Sequence, residues 1–189
     1  MLSGLILAGG RSSRMGRDKA GLVLPDGRTL LQRQAEVLRS AGATSLFASV
    51  RPETTSLPAG MVPVFDARPD AGPLAGIAAG LRAAPAGLVL VLAVDMPQVG
   101  ERHLRQLVEL AGEGRGVVPV QAGQLEPLAA VYPTALADSA DVALAGDRRA
   151  VHAWVRGEAE LGRLRLWDTQ AEWAGVLHSW NTPADATRG

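Results

Sequence analysis

Apolar positions along this chain follow two rhythms. Leu5 to Leu7, Leu46 to Val50, Met61 to Phe65 and Leu88 to Val94 are short runs, apolar at nearly every position, as strands covered on both faces must be. Between them lie longer stretches of helical period. Thr29 is a suitable cap for a helix in which Leu30, Leu31, Gln34, Val37 and Leu38 recur on one face, ending near Gly42. Pro73 suits the first turn of a helix running to about Ala84, and His103 to Leu110 reads as another. Beyond Gly114 the pattern loosens, with strands expected at Val117 to Val120, Leu128 to Tyr132 and Arg163 to Trp167, and helices at Ala135 to Leu144 and Ala150 to Val155. Strands alternating with helices imply an α/β fold, a mostly parallel sheet with helices on both faces.

The 189 residues, 47% of them hydrophobic, suffice for one core. No repeat or long linker marks a boundary, so the expectation is a single domain over residues 1–189. Nineteen basic residues balance nineteen acidic ones, so no net charge draws the molecule to nucleic acid or an anionic membrane, and any anion must be held locally. The absence of cysteine removes disulfides, thiolate metal sites and thiol nucleophiles together. The N-terminus reads as a first strand rather than a signal peptide, and no apolar stretch approaches the roughly 20 residues of a membrane span. A soluble, cytoplasmic protein is expected.

The richest segment for chemistry is Leu7-Ala8-Gly9-Gly10-Arg11-Ser12-Ser13-Arg14-Met15-Gly16-Arg17-Asp18-Lys19, directly after the first strand. Gly9 and Gly10 permit a sharp turn that aims consecutive N–H groups at an anion, while Arg14 and Lys19 add positive charge at the carboxyl end of a strand, where open α/β sheets bind ligands. The spacing fits neither a dinucleotide fingerprint nor a P-loop. At the end of the longest apolar run stands Asp95, succeeded by Met96 and Pro97. A lone strand-end carboxylate suits magnesium, which is commonly held by one or two carboxylates plus substrate phosphates; it also suits a turn cap. Asp66 closes the third strand, either as a solvated end or as an acceptor for the N–H groups of a guanine ring. Gly76 and Gly80, four apart, read as a packing stripe, and Gly72-Pro73-Leu74 as a wall of the pocket. The three histidines, His103, His152 and His178, lack metal-ligand spacing.

The start Leu7-Ala8-Gly9-Gly10 and the end Arg14-Met15-Gly16-Arg17-Asp18-Lys19 resemble the signature of the molybdenum cofactor guanylyltransferases. The likeness extends through Gly72-Pro73-Leu74-Ala75-Gly76, Asp95-Met96-Pro97, Glu126-Pro127-Leu128, Arg148-Arg149 and Asn181-Thr182-Pro183. The resemblance implies a Rossmann-like nucleotidyltransferase that joins GMP from GTP to molybdopterin carrying molybdenum, with release of pyrophosphate. It implies Leu7, Ala8, Gly9, Gly10, Lys19, Asp66 and Asp95 at the nucleotide, Arg14, Lys19 and Asp95 in catalysis, and Asp95 as the Mg2+ ligand. The nucleotide then belongs to the N-terminal half and the acceptor to the C-terminal half, where Glu126, Arg148, Arg149 and Asn181 are candidates, although Asn181-Thr182-Pro183 also serves as a helix start. Transient contact with molybdenum cofactor insertion proteins or molybdoenzymes would be a consequence. Two departures stand out: Ser179-Trp180-Asn181 replaces the family's Asn-x-Asn, and Ala48-Ser49 stands where relatives can place an asparagine near the base. A molybdopterin cytidylyltransferase, a sugar-phosphate nucleotidyltransferase and a silent nucleotide-binding module are the rival readings.

Overall fold

The computed structural model describes residues 1–9, 21–54, 56–66, 71–112, 114–146 and 150–180. Four strands, β1 (Leu2–Leu7), β2 (Ser45–Ser49), β3 (Met61–Val64) and β4 (Leu88–Ala93), lie side by side in the order β3-β2-β1-β4, and all pair in parallel. Beyond β4 the sheet continues through β7 (Ala129–Pro133) and β5 (Gly116–Gln121) to β6 (Gln124–Leu125), with β8 (Leu164–Asp168) also paired to β5. β7 is antiparallel to both β4 and β5, while β8 is parallel to β5. Among the described strands, therefore, only β7 and β6 oppose the common direction. The mostly parallel sheet expected from the sequence is present, with one reversal inside it.

The continuous apolar runs reflect burial on both sides. Neighbouring residues of one strand belong to opposite cores: Ile6, Leu90 and Leu92 face one cluster, and Leu5, Val89 and Val91 the other. The first cluster is covered by α1 (Leu30–Ser40), α3 (Glu101–Leu110) and the segment around Trp173; the second by α2 (Pro73–Ala83), α4 (Ala137–Ala145) and α5 (Val151–Glu160). Among the described residues, no helix is long and apolar enough to cross a membrane.

Local rules account for the starts of α1 and α2, the latter with Pro73 in its first turn. Thr29 forms a reciprocal capping box with Gln32, its hydroxyl accepting the Gln32 N–H at 3.1 Å while the side-chain Oε1 of Gln32 accepts the Thr29 N–H at 2.8 Å, a pair of bonds that stabilises a helix start by about 1 kcal/mol. On α2, a Cβ at Gly80 would lie 2.3 Å from Leu5 Cδ2 and one at Gly76 would lie 2.6 Å from Ser49 Oγ. The stripe thus serves close packing of α2 onto the central strands, as the spacing indicates.

Three elements depart from the sequence expectation. Helix α3 begins at Glu101 rather than His103, because His103 Nδ1 accepts the Gly100 N–H at 3.1 Å and closes the first turn from within. Helix α5 continues to Glu160, five residues past Val155, because the buried Glu158 is satisfied by Ser139 and Arg163; a charged residue there breaks the apolar period without ending the helix. Strand β6 has no counterpart in the sequence reading. It pairs with β5 across Ala122 and Gly123, both at positive φ, the geometry of a two-residue hairpin loop that Asn-Gly would have advertised.

Candidate functional site

The chain leaves β1 toward β2 on one side, passes outward to β3, then returns through α2 to β4 on the other side of β1. The carboxyl ends of β1 and β4 therefore flank a topological switch point, where the diverging connections leave a crevice. Two of the segments selected for their chemistry emerge there. Leu7 pairs with Ala93 in the last register position of both strands. Past it the backbones remain stitched: the Val94 N–H donates to the Leu7 carbonyl at 3.1 Å, and the Ala8 N–H donates to the Ser49 carbonyl at 2.9 Å. Gly9 comes next, half-buried. Its φ is not in the left-handed region, and a Cβ there would meet Ser49 at an ordinary 3.6 Å. What glycine provides at this position is an uncovered backbone rather than an otherwise forbidden turn. Gly10, Arg14 and Lys19 lie outside the described residues.

Ser49, the last residue of β2 and one of the two residues standing where relatives can place an asparagine near the base, joins the site together. It is 3% exposed, and its hydroxyl donates to Asp66 Oδ1 at 3.0 Å. The same residue borders Gly9 on one side and Gly76 on the other. Burial pushes the half-buried Asp66 carboxyl above its ordinary value, and the Ser49 hydroxyl offsets part of that rise. A small polar residue closing an otherwise apolar strand is the signal that could have found it. Asp66 therefore stands at the carboxyl edge of the sheet with one oxygen already oriented.

Asp95 occupies the tight turn after β4, where the Met96 N–H returns to the Ala93 carbonyl at 3.3 Å. Asp95 is partly exposed, whereas Met96 and Pro97 beside it are buried. The Trp180 N–H donates to the Asp95 carbonyl at 2.7 Å, bringing the C-terminal tail to this turn. Asn181, the next residue, lies outside the described residues, as do Arg148 and Arg149.

Glu126 reaches the same edge by a different route. Because β7 runs against β4, the segment before β7 arrives where β4 ends, and the Ala93 N–H donates to the Leu128 carbonyl at 2.7 Å. Burial raises the Glu126 carboxyl, and proximity of His178 lowers it in part. His103, by contrast, is a core residue packed edge-on to Trp173 at 4.9 Å between ring centres.

Among the described residues, Leu7, Ala8, Gly9, Asp66, Asp95 and Glu126 thus share one sheet edge. The described residues include no group of three or more His, Cys, Asp or Glu able to hold a metal ion, so a protein-only cage is not offered there. A partly exposed carboxylate at a strand end fits a magnesium ion that takes its remaining ligands from phosphate and water. A separate cavity of about 560 Å³ lies between α4 and α5, lined by Ser139, Val142, Trp154, Glu158 and Leu161 among others; none of the residues selected from the sequence lines it.

Comparison with known proteins identifies the family and the fold. A model of the MobA-like NTP transferase domain matches residues 4–163. A protein of Opitutus terrae named probable molybdenum cofactor guanylyltransferase is 38% identical over 190 residues, covering 99% of this chain and 94% of its own. Among solved structures, molybdopterin-guanine dinucleotide biosynthesis protein A of Archaeoglobus fulgidus superposes with a TM-score of 0.74 at 24% identity, over 100% of this chain and 96% of that one. Rv0371c of Mycobacterium tuberculosis, solved as a complex with manganese, superposes with a TM-score of 0.61 at 22% identity, over 89% of this chain and 87% of that one.

Proposed function

Since the chain belongs to the MobA-like NTP transferase domain family and is a nucleotidyltransferase, we propose that its reaction is transfer of GMP from GTP to the terminal phosphate of molybdenum-molybdopterin, giving the guanine dinucleotide cofactor and pyrophosphate. The observation that carries this reading is the adjacency of two strand exits: Leu7-Ala8-Gly9 and the Asp95 turn leave paired parallel strands at the switch point of the sheet.

In this reading the N–H groups of Gly9 and Gly10, with Arg14 and Lys19, hold the triphosphate oxygens, and Asp66 accepts from the guanine N–H groups. Asp95 holds Mg2+, which when bound neutralises phosphate charge. Arg148, Arg149 and Asn181 face the acceptor. An acceptor phosphate oxygen attacks the α-phosphorus of GTP while the bond to the bridging oxygen breaks, and pyrophosphate leaves. A phosphate monoester has a second pKa of about 6, so at neutral pH it is its own nucleophile and no protein base has to take a proton. The chain's work is then to position the reactants and offset charge at the transferring phosphoryl group.

The test is incubation of the protein with Mg2+, molybdenum-molybdopterin and each nucleoside triphosphate in turn, with pyrophosphate release as the readout. GTP with molybdenum-molybdopterin is expected to react. Release from CTP instead, or with a sugar phosphate as acceptor, would move the chain to another branch of the nucleotidyltransferases, and no release from any pair would contradict the reading.

A further inference from the structure

Helix α1 carries a polar residue where its periodicity calls for an apolar one. Leu30, Leu31, Ala35 and Leu38 form its buried face, and Gln34, on that face, is 0% exposed. Burying a primary amide costs a few kcal/mol unless its hydrogen bonds are made. Here they are made to one target. Gln34 Nε2 donates to the Ala93 carbonyl at 3.3 Å and to the Met96 carbonyl at 2.9 Å, and Oε1 accepts from Arg33 Nη1 at 3.1 Å. Both amide protons are thereby committed to the two residues that bracket the turn bearing Asp95. The Arg33 contact fixes which end of the amide points there.

That turn is fastened from four directions. Strand β1 accepts the Val94 N–H through Leu7, the segment before β7 accepts the Ala93 N–H through Leu128, the tail donates to the Asp95 carbonyl through Trp180, and α1 holds Ala93 and Met96 through Gln34. Of these only the Gln34 contact is made by a side chain, and it comes from the first helix among the described residues after the N-terminal loop. We propose that Gln34 is a positioning residue: by clasping both ends of the turn it fixes the direction in which the Asp95 carboxylate meets a divalent cation and the triphosphate. The inference rests on the assignment of Asp95 made under Proposed function.

The test is Gln34→Met, which keeps length and apolar bulk but donates nothing. Mn2+ would be titrated by electron paramagnetic resonance into the protein bound to a non-hydrolysable GTP analogue, with the metal dependence of pyrophosphate release measured alongside. Loss of a group that orients a metal ligand weakens metal affinity by about 10- to 100-fold, and that is the expected shift, with metal-free nucleotide affinity unchanged. A purely structural amide would lower the melting temperature and leave the Mn2+ titration where it was, which would overturn the proposal. If Gln34→Met does not fold, Gln34→Leu, which restores the apolar period of the helix and likewise donates nothing to Ala93 and Met96, decides by the same titration: about 10-fold weaker Mn2+ binding supports the proposal and an unchanged titration refutes it. Asp95→Ala separates the two levels of inference. Unaltered Mn2+ binding in Asp95→Ala removes the assignment of Asp95 itself, whereas loss there with no change in either of the other variants removes only the role of Gln34.

Discussion

The two halves of the sheet bring chemistry to one edge by opposite means. From β3 to β4 every strand points the same way, so that edge collects the residues just past each strand's end: Gly9 after β1, Asp66 after β3 and Asp95 after β4, with Ser49 closing β2. Beyond β4 the reversal of β7 delivers to that edge the segment that precedes a strand, Glu126-Pro127-Leu128, and the tail arrives at Trp180. The parallel half, with residues gathered from consecutive strand exits, suits a ligand that spans several loops. The antiparallel half supplies one entry segment and otherwise commits its polar residues to its own packing, as in the network of Trp154, Ser139, Glu158 and Arg163.

If that division is correct, substitutions should separate into loss of turnover in one half and loss of stability in the other. The largest effect is expected for Asp95→Ala, with pyrophosphate release falling about 10²- to 10³-fold, the size seen when one preorganised electrostatic group is lost, while the melting temperature stays near wild type. A variant with wild-type turnover would break the comparison at its centre.

Next in size is Asp66→Asn, expected to reduce discrimination for GTP over other nucleoside triphosphates by about 10- to 100-fold, the worth of a hydrogen bond to a charged group. The same substitution sharpens the comparison through pH. A carboxyl whose pKa is raised by burial binds its proton more tightly folded than unfolded, so its contribution to stability is present below the ordinary carboxylate range and is lost as pH rises through the raised value. Asp66→Asn should therefore flatten that loss, raising the melting temperature at neutral pH more than at acidic pH.

In the other half, Arg163→Ala strips the buried Glu158 of its cation, whose Nε lies 2.6 Å from Glu158 Oε2. A stability loss of about 1–3 kcal/mol is expected in denaturant titration, with turnover unchanged; a matching fall in turnover would show that the α4–α5 network reaches the site. The smallest effect is expected for Tyr132→Phe, which removes the bond from the Tyr132 hydroxyl to the Pro127 carbonyl at 2.8 Å, at about 1 kcal/mol. Because Pro127 adjoins Glu126, steady-state kinetics should place any accompanying change in KM for the acceptor rather than for GTP.

How much of this is legible in the sequence depends on whether the signal is local. The Thr29 cap, the Pro73 helix start and the two-sided strands obey short-range rules, and their positions can be read off the chain within a few residues. Asp95 can be selected because a carboxylate ending a long apolar run is conspicuous. Ser49 shows only as a polar residue closing an apolar run, and Gln34 not at all, because what each does depends on partners 17 and about 60 residues away along the chain. Glu158 disguises the length of α5 for the same reason: its burial is offset by Ser139 and Arg163, which periodicity does not see. Ala122-Gly123 conceals a hairpin because alanine at positive φ carries no local signature. Tertiary pairing, not propensity, governs each of these positions.

The central claim is that the exits of β1 and β4 cradle a triphosphate and its cation together. A crystal structure with a non-hydrolysable GTP analogue and Mn2+ tests it most directly, because manganese identifies itself by anomalous scattering. The predicted result is a manganese peak against the Asp95 carboxylate, with triphosphate oxygens over Ala8 and Gly9 and the guanine edge at Asp66. A triphosphate lodged between α4 and α5, or a manganese peak remote from Asp95, would contradict it.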